Sequence, residues 1–159
     1  MTNMYVIQHL DNLRDVQALR HDALNVFTSA DLPYRPGGTA LSLGELCKEM
    51  GDTQLSYLNS LKTLTHDYTT QHPDTTLTSD LPKLTEWFKA MDAEMNALVE
   101  GMNDDEIQRI VDRGYGFMLP VGAQMHVYKE ALMLFLGKIS IYMRVMNKPL
   151  PEKFGMWIG

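Results

Sequence analysis

The stretch over residues 120–147 constrains the fold of this chain most. Tyr128, Ala131, Phe135, Tyr142 and Met143 recur along it at helical spacing, which predicts a long amphipathic helix with one buried side. Such a helix needs others to cover that side, and three further stretches supply them. Residues 4–29 carry Val6, Leu10, Leu13, Leu24 and Phe27 on one stripe, with Gln17, Arg20 and His21 in or beside it. A loop with two prolines and a glycine pair, DLPYRPGG, ends that helix. The next begins at Ser42, where Ser42 and Glu45 form a capping box, and fades near Gln71. Leu46, Met50, Tyr57, Leu61 and Leu64 share its apolar face. A third helix spans residues 81–101, with Pro82 in its first turn and a wide face from Leu84 to Met102. Asn103 caps a short helical segment with an acidic start, broken by Gly114 and Gly116. No strand is predicted. The expectation is one all-α domain over residues 1–159, an antiparallel four-helix bundle.

Composition narrows the function classes. The formal charge is -6, and no run of Lys and Arg offers a phosphate-binding face, so a nucleic-acid partner is not expected. One cysteine, Cys47, excludes an internal disulfide and a CxxC motif. It is expected to be a buried, inert thiol. The start of the chain becomes charged too early for a signal peptide, and the longest apolar cluster, ALMLFLG, is too short to span a bilayer. A cytoplasmic protein with no membrane contact is the expectation. P-loop, GxGxxG, GxSxG and HExxH motifs do not occur.

The string Ser42-Leu-Gly-Glu45-Leu-Cys-Lys-Glu49 on the second helix, and Tyr142-Met143-Arg144 with Pro149, Pro151, Phe154 and Gly155 at the end of the chain, resemble in order and spacing the DinB/YfiT-like family of small four-helix-bundle proteins. The string Ser42-Leu-Gly-Glu45-Leu-Cys-Lys-Glu49 is similar to that family's S-x-x-E-x-x-x-H on the second helix. On the last helix Tyr142-Met143-Arg144 matches the family's Y-L-R, and Pro149, Pro151, Phe154 and Gly155 match its tail. Leu136-Gly137-Lys138 stands where the family has R-G-Q. The resemblance implies a divalent nickel or zinc site built from three imidazoles, and activities such as thiol-dependent transfer or maleylpyruvate isomerisation. The three ligand positions read Glu49, Ala131 and Phe135 here. One carboxylate cannot hold a transition metal tightly, so neither metal nor other cofactor is expected.

What remains is a pocket near Glu49, Ala131 and Phe135, more apolar than in relatives, with Gln17, Arg20, Tyr128, Lys138 and Tyr142 as further contacts. Arg20 or Lys138 replaces the metal charge and pairs with Glu49, or all three side chains extend to solvent; the sequence leaves both open. His126 and Glu130 read as a surface pair four residues apart. His9, His21 and His66 have no ligand spacing among them. Phe154 and Trp157 in the tail MWIG read as a packing clasp. The leading expectation is a DinB-like protein without the metal triad that acts as a small-molecule-binding or otherwise non-catalytic member. A transferase or isomerase with an altered site is the first alternative, and a homodimeric interaction protein the second, with Gly137 allowing a close helix crossing.

Overall fold

A computed structural model describes residues 2–157. Its helices are α1 (Asp11–Leu24), α2 (Leu43–Thr63), α3 (Leu81–Gly101), α4 (Asp104–Ile107), α5 (Val121–Val145) and α6 (Glu152–Trp157), with strands β1 (Ile110–Asp112) and β2 (Met118–Pro120) between α4 and α5. α1, α2, α3 and α5 form the expected all-α bundle. Side-chain contacts fix their directions. His9 and Asn12, one turn apart, meet His126 and Lys129 in the same order, so α1 and α5 run parallel. Ser60 meets Gln124 while Tyr142 meets Leu41, so α2 and α5 run antiparallel. Gln17 and Arg20 meet Asn96 and Asp92, which sets α1 against α3. Gln54 reaches Asp92 and Lys62 pairs with Glu94, so α2 and α3 are parallel. The order is up, down, down, up. The second crossing needs a long return, made by residues 64–80.

Local chemistry explains the element ends. The Ser42–Glu45 capping box is reciprocal: Glu45 N donates to Ser42 Oγ at 3.2 Å and Ser42 N to Glu45 Oε2 at 2.7 Å. Asn103 and Glu106 repeat the device at α4. The first helix differs from expectation at both ends. It opens with a π-helical turn, Val6–Leu10, and stops at Leu24, because Val26 and Phe27 tighten to i−3 bonds and a Thr28–Asp31 box starts a new turn. α2 stops at Thr63 rather than near Gln71: Leu64 turns left-handed at φ 59°, and His66 N donates to Asp112 O at 2.8 Å.

The expectation of no strand is corrected. After α4 the β-branched Ile110 and Val111 pair with Pro120 and Leu119. Gly114, Tyr115 and Gly116 all take positive φ in the turn, so the two glycines close a hairpin rather than break a helix. Phe154 is buried as expected, whereas Trp157 is 40% exposed and Met156 more so; the last two residues of that tail lie outside the described residues. Among the described residues no helix is long and apolar enough to cross a membrane.

Candidate functional site

The polar residues on the α1 stripe are occupied inside the bundle. Arg20 has no exposed surface. Its Nη2 donates to Asp92 Oδ2 at 2.5 Å and its Nη1 to Gln54 Oε1 at 2.6 Å. Gln54 Nε2 donates to Asp92 Oδ1 at 2.8 Å, and His21 Nε2 lies 2.9 Å from Asp92 Oδ2. Burial opposes the Asp92 charge, but His21, the Arg20 guanidinium and Gln54 outweigh it and hold the carboxyl below its ordinary range. Gln17 exchanges hydrogen bonds with Asn96. Tyr128 is buried beside them, its hydroxyl without a well-formed partner and its ionisation pushed up by desolvation. Arg20 and Gln17, expected as pocket contacts, are therefore occupied by partners inside the bundle, and Tyr128 is buried beside them. The reason is Asp92 on the buried face of α3, which the sequence reading did not pair with Arg20. The Arg20–Glu49 pair is corrected on the same ground.

Glu49 is exposed on α2 and makes no hydrogen bond or ion pair among the described residues. It stands between two cavities. One, of about 340 Å³, is a groove between α2, α5 and the preceding loop, walled by Pro36, Ala40, Leu41, Leu46 and Ile141, with Glu49, Lys138 and Tyr142 as polar groups. Tyr142 Oη donates to Leu41 O at 2.6 Å and pins the loop to α5; burial raises its pKa. Lys138 pairs with no carboxylate among the described residues. Its ammonium sits 4.8 Å from the centre of the Phe135 ring, a cation–π contact. Phe135 is 8% exposed and packs beneath the groove rather than lining it. Ala131, one turn earlier, is half-buried and also lines neither cavity.

The other cavity, about 330 Å³, lies between α2 and the return loop and is more polar, with Glu49, Asp52, Ser56, Tyr57, His66 and Tyr68 among its walls. Asp52 is held by Lys48 at 2.7 Å and accepts from His72 N at 2.8 Å, which ties the loop to the helix. Behind the cavity is a network that sequence reading missed. Arg113, 7% exposed, donates to Gln124 Oε1. A guanidinium has no acceptor, so the Gln124 oxygen must face it and the Gln124 amide N must face Ser60 Oγ and His66 Nδ1, each at 2.9 Å. His66 Nδ1 is then an acceptor, and its proton sits on Nε2. Burial, and then the Arg113 charge, push the His66 pKa down to about 4. The network draws on α2, the loop, the hairpin and α5, and no spacing within one segment announces it.

The residues at the implied metal positions do not fit a transition metal. Glu49, Ala131 and Phe135 offer one oxygen donor, a methyl and a phenyl ring, and a lysine ammonium already rests on that ring. Among the described residues no three His, Cys, Asp or Glu side chains gather into a metal-binding group. Cys47 is buried and its thiol is pushed up to about 12 by desolvation, which disfavours the thiolate form.

The up, down, down, up bundle is a DinB-like fold. The chain is similar to a DinB-like protein from Bacillus subtilis, YjoA, whose crystal structure it matches with a TM-score of 0.70, covering 89% of this chain and 94% of that one at 16% identity. That likeness is one of fold. No protein-family model matches the sequence, and no curated protein matches it.

Proposed function

We propose that this chain is a DinB-fold protein that binds a small, largely apolar molecule in the groove between α2 and α5, and that it does so without the metal triad. The observation that carries this reading is the groove itself. It has about 340 Å³ of space, within the range of small-molecule sites. Its walls are mainly apolar, and Glu49 and Lys138 stand at its edge without ion-pair partners among the described residues. A ligand with an apolar body and an anionic end would meet Ile141, Leu41 and Leu46 along the walls and Lys138 at the rim. Glu49 would favour an amine or hydroxyl at the other side.

Titration with anilinonaphthalene sulfonate, an apolar probe with one sulfonate, tests the site. Saturable fluorescence enhancement is expected, weakened by Ile141→Glu and by Lys138→Glu. Unsaturable enhancement, or binding that neither substitution alters, refutes the reading. The replacement Glu49→His with Ala131→His and Phe135→His tests the ligand-position alignment: the triple variant should retain nickel through dialysis, and failure to do so would count against that alignment.

A second reading is favoured by α5. Leu134, Ile141 and Val145 are 71%, 56% and 49% exposed and recur at helical spacing on its outer face. Two copies joined along this stripe would cover it and bring Gly137, whose missing Cβ faces open space, near the partner helix. Sedimentation of the unaltered chain and of Leu134→Glu distinguishes the two readings, since a monomer in both cases removes the dimer.

A further inference from the structure

On the other side of α5, away from the groove, two imidazoles from different helices face each other. His9 sits on the π-helical turn and His126 on the second turn of α5, with ring centroids 4.4 Å apart and planes at 78°. Neither makes a hydrogen bond with the other. Tyr5 packs against both rings at 5.4 Å; it is 3% exposed and its hydroxyl has no partner. A cavity of about 300 Å³ opens directly on the pair, and Gln8 and Gln108 bring amide groups to its walls.

The backbone is arranged to make this meeting. A π-turn inserts one residue into helical winding, and such turns are frequent at functional sites. His9 lies within that turn, and the wider winding changes which way the residues of the turn face by up to about 100° relative to a continuous α-helix. The neighbouring charges leave the pair free to act as donors. Lys129 donates to Asn12 Oδ1 at 2.8 Å, and Glu130 lies on the exposed side of α5. Burial, then the charges of His9 and Lys129, lower the His126 pKa, which favours the neutral ring, the form that donates a lone pair.

We propose that His9 and His126 form a binding site for one divalent transition cation, Cu²⁺ or Zn²⁺, with water and an amide oxygen of Gln8 or Gln108 completing the coordination. Imidazole nitrogen suits these ions, and the general order of affinities puts copper first. Nitrogens at about 2.0–2.1 Å from a tetrahedral ion stand about 3.4 Å apart, a separation within reach of rings placed this closely. The site joins α1 to α5 and is independent of the groove and of the family's ligand positions.

The test is calorimetric titration of the tag-free full chain with CuCl₂ and with ZnCl₂ at neutral pH, beside His9→Gln and His126→Gln. One Cu²⁺ per chain is expected, bound more tightly than Zn²⁺. Either substitution should weaken binding by roughly tenfold or more, while metal-free circular-dichroism melting stays close to that of the unaltered chain. No saturable binding, or binding that survives both substitutions, overturns the proposal. Electron paramagnetic resonance of the Cu²⁺-loaded unaltered chain reads the donors even where a variant fails to fold. Imidazole nitrogen couplings support the site, and a spectrum without them overturns it.

Discussion

Replacing Asp92 should cost this bundle more than replacing almost any other single side chain. Its carboxylate accepts from Arg20, His21 and Gln54 at 2.5, 2.9 and 2.8 Å. Arg20 is wholly buried, with its guanidinium 4.1 Å from the centre of the Phe88 ring. In Asp92→Ala the guanidinium keeps its charge, keeps Gln54 as an acceptor and loses its ion-pair partner. Leaving one member of a buried pair uncompensated costs about 3–5 kcal/mol, a large share of the roughly 5–15 kcal/mol that holds a domain together. At about 2–4 °C per kcal/mol for a domain of this size, Tm should fall by roughly 6–20 °C. Urea unfolding and thermal melting both read the effect. The double variant Arg20→Met with Asp92→Leu removes the charge along with its partner and strands only the neutral, buried Gln54 amide, so it should lose about 1–3 kcal/mol, less than the single variant. A single variant that loses less than about 1 kcal/mol, or a double variant as damaged as the single, would refute the claim that charge desolvation dominates this network.

Four further outcomes follow from other contacts in the bundle. His66 has its pKa lowered from 6.5 to about 4 by burial and by Arg113, so the unfolded chain binds the extra proton between those values and stability falls as pH drops through that window; His66→Gln should flatten the slope in urea melts run from pH 7 to pH 4. Gly44 lies against the Thr78 backbone carbonyl, which a Cβ would strike, so Gly44→Ala should destabilise by about 3 kcal/mol. Gly137→Ala, in open space on a helix, should instead stabilise by about 1 kcal/mol, and melting curves of the two should move in opposite directions. Ser42→Ala removes the cap of α2 and should cost about 1 kcal/mol in the same assay.

The parts legible in the sequence are those whose physics is local. The bounds of α3 follow from a capped start and a continuous apolar face, and the Ser42 and Asn103 boxes each lie within four residues. The hairpin escaped because three-residue strands carry almost no alternation and their glycines read equally well as helix breakers. The buried network escaped for another reason. Arg20 stands out as a cation on an apolar stripe, but its partner is separated by 72 positions, and a carboxylate between Met91 and Met95 looks like the edge of a surface. Glu49 was the reverse case, a residue singled out by pattern that the fold leaves at the surface without a partner. That exchange carries a physical point about the bundle. The positions where the resemblance implies metal ligands hold Glu49, Ala131 and Phe135, while the buried polar clamps lie elsewhere in the bundle. Arg20, Gln54 and Asp92 join α1, α2 and α3, while Arg113, Gln124, Ser60 and His66 join α2, α5 and the hairpin. Together these links reach all four long helices, and none of their side chains lines the groove beside Glu49, so substitutions in that groove should leave both clamps intact.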